Sequence, residues 1–115
     1  MLFRSIRDDN PVAFIWHLGT MMDRGPVPEE PYVVPLGVAE VKRQGDDVTL
    51  VANGFQYKNA QVVADKLAGE ISVEIIDPRT FSPLDIDTIL KSLEKTGRLV
   101  VVDESWESRD RKSVV

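Results

Sequence analysis

The feature that most constrains the fold is the run of residues 73–85, in which an apolar segment leads into a polar turn. Val73, Ile75 and Ile76 are β-branched and nearly continuous, which is typical of a short strand covered on both faces of a sheet. Asp77 and Arg79 follow where that strand is predicted to end. A strand of this kind favours an α/β protein with parallel strands.

The end of the same run predicts the start of a helix. Ser82 is suited to cap it, Pro83 fits its first position, and Asp85 completes a capping-box-like pattern with an acid at the positive helix end. Thr96-Gly97 is predicted to stop this helix. Its apolar face is formed by Ile86, Ile89, Leu90 and Leu93.

The same alternation of strand and helix extends in both directions from residue 73. Residues 48–52 and 98–104 predict two more buried strands. A helix between the first two strands would be capped by Asn59 and ended by Gly69. Its predicted apolar face is formed by Ala60, Val63, Ala64, Leu67 and Ala68. The order from residue 47 is therefore β-α-β-α-β, which predicts an open, mainly parallel sheet with right-handed crossovers.

The N-terminal third has a different texture. Residues 12–16 predict a short buried strand, and residues 19–35 are interrupted by glycine and proline, as in a linker or an extended arm that precedes the sheet. Three strands and two helices make a thin sheet with poorly protected edges. We therefore expect a fragment, or a domain completed by another chain.

Composition excludes several classes of function. The 115 residues carry a net charge of −5, which argues against a general nucleic-acid or anionic-membrane binder. There is no cysteine, which excludes disulfides and thiolate chemistry within this sequence. No apolar run approaches the roughly 20 residues that span a bilayer. We expect a soluble protein in the cytoplasm.

Five ordered motifs resemble the β subunit of the thiamine-diphosphate-dependent 2-oxo acid dehydrogenases, a family that includes the decarboxylating components of the pyruvate, branched-chain 2-oxo acid and acetoin complexes. The motifs occupy residues 6–12, 34–39, 45–51, 73–85 and 95–104. The order and spacing together make the resemblance specific.

The resemblance implies a domain layout and a set of partners. Residues 1–18 would end the pyrimidine-binding domain, 19–36 would connect the domains, and 37–105 would form part of a transketolase C-terminal-like domain, incomplete in this sequence. Residues 106–115 do not resemble the family. The parent enzyme would use thiamine diphosphate and Mg²⁺, and would assemble with an α subunit, a second β subunit and a lipoyl acyltransferase. No cofactor is expected to bind this fragment alone.

The candidate site lies where the predicted parallel strands end, since open α/β sheets place ligands at the carboxyl ends of their strands. Its residues are Asn53, Gly54, Asp77, Arg79 and Asp103, with Glu104 beside them. Arg79 and the following helix start could meet a small anion. The favoured interpretation is instead that Asp77 and Arg79 fix the turn. No catalytic, cofactor-binding or metal-binding residue is assigned.

Other conspicuous side chains are weighed in the same way. His17, the only histidine, is interpreted as structural, because no carboxylate or serine lies near it in sequence. Phe14, Trp16 and the Met21-Met22 pair are equally compatible with a partner-binding surface and with ordinary core. Asp8-Asp9 and Glu29-Glu30 are interpreted as solvated surface.

The favoured function is a non-catalytic part of a 2-oxo acid dehydrogenase β subunit, which supports oxidative decarboxylation and subunit assembly. One alternative is a free-standing α/β module that binds a small anion or a protein. Another is the C-terminal part of a transketolase or a deoxyxylulose-phosphate synthase, which shares the fold. The sequence alone leaves the 2-oxo acid open.

Overall fold

The computed structural model describes residues 6–13, 17–26, 28–30 and 32–104. A short 3-10 helix at Leu18–Thr20 precedes the sheet. In chain order, the elements that follow are β1 (Glu40–Arg43), β2 (Val48–Ala52), α1 (Gly54–Lys66), β3 (Val73–Asp77), α2 (Ile86–Thr96) and β4 (Leu99–Val102). Within this described part of the chain, no helix is long and apolar enough to cross a membrane.

The sheet has four strands in the order β1-β3-β2-β4. Strand β2 runs parallel to both β3 and β4, which confirms the predicted β-α-β-α-β unit and its open, mainly parallel sheet. Strand β1, which the sequence did not predict, pairs antiparallel with β3 at one edge. Its sequence, EVKR, is short and mostly charged, so it lacks the apolar pattern that reveals the other strands.

The two helices cover opposite faces of the sheet. The main core lies under α1, where Ala60 and Ala64 pack against Leu50, Val73 and Ile75. The other face carries Thr49, Val51, Glu74 and Ile76, because successive residues of a strand point to opposite sides. Right-handed crossovers in opposite directions along the sheet place the helices on opposite faces.

The α2 face is joined to the sheet by a buried network of hydroxyl groups. Thr49 Oγ1 lies 2.6 Å from Ser92 Oγ and 2.7 Å from Thr96 Oγ1, and all three residues are buried. Of the apolar stripe predicted on this helix, Ile86 is 52% exposed and Leu90 is 47% exposed. Helix α2 therefore meets the sheet partly through the Ser92 and Thr96 hydroxyls, and only Ile89 and Leu93 of the predicted apolar stripe are half-buried.

Both helices begin at residues other than those predicted. Helix α1 starts at Gly54 after Asn53, so Asn59 lies inside it and is not its cap. Helix α2 is capped by Asp85, whose Oδ1 accepts a hydrogen bond from the Thr88 amide at 3.1 Å. Ser82 and Pro83 belong to the preceding turn. Gly97, with φ of 68°, ends α2 as predicted.

The predicted N-terminal strand is not seen in the part of the chain that is described. Val12 and Ala13 are exposed and lie outside any strand, while residues 14–16 fall outside the described residues. The described residues between Thr20 and Glu40 form no regular helix or strand, in keeping with an extended arm. The domain boundaries at residues 18, 36 and 105 stay predictions.

The hydroxyl network predicts an asymmetric mutational response. Thr49→Val should lower the free energy of unfolding by about 1–3 kcal/mol, because the Ser92 and Thr96 hydroxyls lose a buried partner. The triple variant Thr49→Val/Ser92→Ala/Thr96→Val should recover only part of that loss, since it leaves no orphaned hydroxyl but also removes the bonds from Ser92 to Glu74 and from Thr96 to the Arg98 carbonyl. Urea unfolding of the single and triple variants measures both values. Additive losses in the triple variant would contradict the network.

Gly45 allows the chain to pass against the backbone of β3. A Cβ at this position would lie 2.2 Å from the Val73 carbonyl carbon and 2.3 Å from the Glu74 amide nitrogen. Gly45→Ala should therefore destabilise the fold at the upper end of the about 1–3 kcal/mol range for overpacking. Gly25→Ala is the matched control, because a Cβ there meets nothing within 4 Å. Equal urea midpoints for the two variants would contradict this close approach.

Candidate functional site

The carboxyl ends of the three parallel strands, β2, β3 and β4, lie at the same end of the sheet, and the predicted site residues follow these strands there. Helices α1 and α2 leave β2 and β3 toward opposite faces, so these two strand ends flank a topological switch point. The structure divides the predicted residues into two groups. Asp77 and Arg79 lie toward β1, whereas Asn53 and Asp103 lie at the ends of β2 and β4.

Asp77 and Arg79 fix the turn after β3 and hold β1 against it. Asp77 Oδ1 accepts a hydrogen bond from the Arg79 amide at 3.0 Å. Arg79 has φ of 56°, in the left-handed region, and its guanidinium forms an ion pair with Glu40. Glu40 also pairs with Lys42. The hydrogen bond from Lys42, together with the charges of Lys42 and Arg79, lowers the pKa of Glu40.

The segment before β1 is tied to the same turn by two further bonds. The Gly37 amide donates to Thr80 Oγ1, and the Ala39 amide donates to Asp85 Oδ2, both at 2.8 Å. Asp85 also receives bonds from the Thr88 amide and hydroxyl. The hydrogen bonds from Ala39 and then Thr88 lower the pKa of Asp85 against the opposing effect of burial. Asp85 thus joins the arm, the turn and the start of α2.

Asn53 and Asp103 line a small apolar cavity between α2 and the sheet. Val51, Phe81 and Ile89 contribute to its walls. The volume of this cavity is about 60 Å³. Pockets that hold small molecules are much larger, at about 300–1,000 Å³. Neighbouring Gly54 is exposed, and its φ of 51° begins α1 in the left-handed region. The size of the cavity favours local packing over ligand binding.

His17 lies at the N-terminal end of α1, where it has a carboxylate partner that the sequence did not reveal. Its ring stacks on Phe55 with centroids 4.9 Å apart, and its Nε2 lies 3.6 Å from Glu104 Oε2. Its Nδ1 accepts a hydrogen bond from the Gly19 amide at 3.0 Å. Glu104 comes from the far end of the described chain, so local sequence gave no signal of this pair.

Lys58 completes the attachment of this N-terminal segment to α1. Its Nζ donates to the Gly19 carbonyl at 3.0 Å and forms an ion pair with Asp23. The Gly19 backbone passes so close to the helix that a Cβ would lie 2.7 Å from the Phe55 ring. Met21 and Met22, by contrast, are 53% and 89% exposed. The partner-surface interpretation of the two methionines stays a prediction.

Glu74 is a buried acid in the strand that sequence patterning treats as apolar. Its side chain is 4% exposed and forms an ion pair with Lys95 from α2. Burial acts to raise the pKa of Glu74, but hydrogen bonds from Lys95, Ser92 and the Gly45 amide outweigh it and leave that pKa lowered. The Glu74–Lys95 ion pair therefore links β3 to α2. Its role is structural, because a lowered pKa keeps Glu74 ionised and unsuited to act as a general acid.

Among the described residues, no group of three or more His, Cys, Asp or Glu side chains is arranged to hold a metal ion. At the end of β3, Asp77 instead accepts a bond from the Arg79 amide, and the Arg79 guanidinium pairs with Glu40. The groups at this end of the sheet thus hold the turn after β3, the segment before β1 and the start of α2 in one arrangement.

Comparison with known proteins agrees with this fold. The family model for the transketolase C-terminal domain matches residues 37–109. Among solved structures, a split-gene transketolase described as an inactive beta4 tetramer aligns with a TM-score of 0.59 and 30% identity. That alignment covers 62% of this chain and 24% of the other.

Several curated relatives match over nearly the whole sequence. The β subunit of an acetoin:2,6-dichlorophenolindophenol oxidoreductase from Cupriavidus necator is 48% identical, over 91% of this chain and 31% of its own length. The β subunit of the pyruvate dehydrogenase E1 component from Bacillus subtilis is 46% identical, over 91% of this chain and 33% of its own. The chain thus spans about a third of the length of these relatives.

The lowered pKa of Asp85 predicts a specific dependence of stability on pH. A carboxyl group whose pKa is depressed by folding stabilises the fold above its unfolded pKa, and that contribution is lost as the pH falls through the folded value. Below about pH 4, the wild-type unfolding free energy should therefore fall more steeply than that of Asp85→Asn. Urea midpoints across pH measure both slopes.

Asp87→Asn is the matched control for this experiment, because it removes a negative charge from the first turn of the same helix. Because this change leaves the bonds from Ala39 and Thr88 to Asp85 in place, the steeper fall attributed to Asp85 should remain. Parallel slopes for Asp85→Asn and the wild type would show that the bonds from Ala39 and Thr88 do not act on Asp85 as the structure describes.

Proposed function

The chain belongs to the transketolase C-terminal domain family, and on that premise we propose that it is a non-catalytic part of a 2-oxo acid dehydrogenase β subunit. In this role it supports the oxidative decarboxylation carried out by the parent enzyme and contributes to subunit assembly. The relatives that support this proposal are β subunits of pyruvate dehydrogenase and of an acetoin oxidoreductase. We also propose a cytoplasmic location for the protein.

The observation that carries the non-catalytic role is the internal bonding of the strand ends. The Arg79 guanidinium pairs with Glu40, and Asp77 and Asp85 accept bonds from backbone amides. Side chains engaged in this way stabilise a turn and are poorly placed to receive a ligand. The 37–40 segment and the turn after β3 are thereby held in one arrangement for the neighbouring parts of an assembly.

The parent enzyme is proposed to use thiamine diphosphate and Mg²⁺, but the described residues do not fit that cofactor. The Arg79 guanidinium, which could meet a diphosphate, faces a carboxylate, and the cavity at the strand ends is about 60 Å³. When bound in the parent enzyme, the cofactor supplies the carbanion chemistry of decarboxylation. The residues of this chain are proposed to act only as support for it.

The assembly proposed for the parent enzyme contains an α subunit, a second β subunit and a lipoyl acyltransferase. The resemblance to a split-gene transketolase structure favours a second candidate, the C-terminal part of a transketolase. The higher identity of the dehydrogenase and oxidoreductase β subunits, at 46% and 48%, supports the first proposal over the second. The 2-oxo acid of the parent enzyme is left open by this choice.

Affinity capture followed by native mass spectrometry tests the proposed function. The tagged 115-residue chain, expressed in its own host, should be recovered with the α subunit of a thiamine-dependent dehydrogenase or with a full-length β subunit. Recovery with transketolase subunits would support the second candidate. Tight binding of phosphate or a carboxylate by the lone chain, lost on Arg79→Ala, would contradict both and support an anion-binding module.

A further inference from the structure

Three separate parts of the chain meet at the imidazole ring of His17, the only histidine in the sequence. Its Nδ1 caps the 3-10 helix at Leu18–Thr20 by accepting a hydrogen bond from the Gly19 amide at 3.0 Å. Its ring stacks on Phe55 in the first turn of α1. Its Nε2 lies 3.6 Å from Glu104 Oε2, just beyond β4. The N-terminal arm, α1 and the end of β4 therefore converge on one titratable group.

The bond from Gly19 fixes which ring nitrogen carries the proton in the neutral form of His17. A neutral imidazole has one N–H donor and one bare acceptor nitrogen. Because Nδ1 accepts the bond from Gly19, the proton of the neutral ring lies on Nε2, which faces Glu104. When the ring gains a second proton, both nitrogens become donors. The Gly19 amide and Nδ1 are then two donors that face each other, so their hydrogen bond is lost.

The other contacts of this segment do not involve the imidazole nitrogens. Thr20 donates its amide and its hydroxyl to the His17 carbonyl, at 3.0 and 2.8 Å. Lys58 Nζ donates to the Gly19 carbonyl at 3.0 Å. A Cβ on Gly19 would lie 2.7 Å from the Phe55 ring and 3.1 Å from the His17 ring, so the Gly19 backbone is confined between them. Protonation of the ring therefore breaks the bond to the Gly19 amide and leaves these contacts in place.

The charged groups around the ring come from three elements. Glu104, after β4, is the carboxylate that faces Nε2. On α1, Lys58 lies over the Phe55 ring, and its charge is balanced by an ion pair with Asp23 of the arm. Asp103 precedes Glu104 in the sequence but lines the small cavity beside α2. Glu104 thus offers the protonated ring a partner for the charge that it has gained.

We propose that His17 is a proton-operated switch in the attachment of the N-terminal arm. In its neutral form, the ring caps the 3-10 helix by holding the Gly19 amide. In its protonated form, the ring releases that amide and pairs through Nε2 with Glu104. The attachment of the arm thereby moves from its own 3-10 helix to the end of β4. This switch does not depend on the proposed function, because every contact in it lies within the described residues.

Nuclear magnetic resonance of the 115-residue chain tests the switch between about pH 5 and pH 8, the range in which histidine ordinarily changes its charge. Long-range proton–nitrogen correlation spectra distinguish protonated from bare ring nitrogens. At the upper end of this range, His17 should show a bare Nδ1 and a protonated Nε2, and at the lower end both should be protonated. A neutral ring with its proton on Nδ1 would overturn the proposal, because it could not accept the bond from Gly19.

Hydrogen exchange of the Gly19 amide measures the release itself. Its protection, the intrinsic exchange rate divided by the measured rate, should fall at least about threefold as the ring is protonated. His17→Asn is the matched control, because an asparagine side chain accepts the same capping bond and does not titrate. Protection of Gly19 should stay constant with pH in this variant. Constant protection in the wild type while the ring titrates, or an equal fall in His17→Asn, would overturn the proposal.

A second pair of variants tests Glu104 as the partner of the protonated ring. In Glu104→Gln, the loss of Gly19 protection should move to lower pH by about half a pH unit, because a neutral amide does not balance the charge of the ring. Glu94→Gln removes the same charge from α2, on the other face of the sheet from α1, and should leave the transition at its wild-type pH. Equal shifts in the two variants, or no shift in Glu104→Gln, would overturn the proposal.

Discussion

Strand β3 is the constraint on which the rest of this structure depends. It is paired on both edges, parallel to β2 and antiparallel to β1, and Ile75 and Ile76 are fully buried on its two faces. Each helix completes one of those faces. The turn that follows β3 then holds β1 through Arg79 and Glu40, and the arm through Thr80 and Gly37.

The sequence predicted the parallel core well because its signals are local. The β-branched run at residues 73–76 and the helical apolar spacing sit within single elements, so they identify three strands and two helices without any knowledge of contacts. Strand β1 was not predicted, because a charged edge strand lacks the apolar pattern that identifies the other strands. The side of α2 that meets the sheet was predicted only in part, because Ser92 bonds to Thr49, which lies 43 residues away in the sequence.

The candidate site shows the same division between local and distant signals. The bond from the Arg79 amide to Asp77 joins residues two apart, and a turn-fixing role could be predicted from their spacing. The partners Glu40 for Arg79 and Glu104 for His17 come from remote parts of the chain. The identities of these partners depend on the fold. From the sequence alone, the Arg79 guanidinium could therefore be considered for a small anion, whereas in the structure it is already paired with Glu40.

The central claim is that the polar groups after β3 are engaged in holding the arm and the turn, and it is tested most directly by residue-resolved hydrogen exchange. The Gly37 and Ala39 amides should be protected with those of β3, because they donate to Thr80 and Asp85. Exchange of both amides at the rate of an unfolded chain, while β3 stays protected, would contradict the account and leave those side chains available to a ligand.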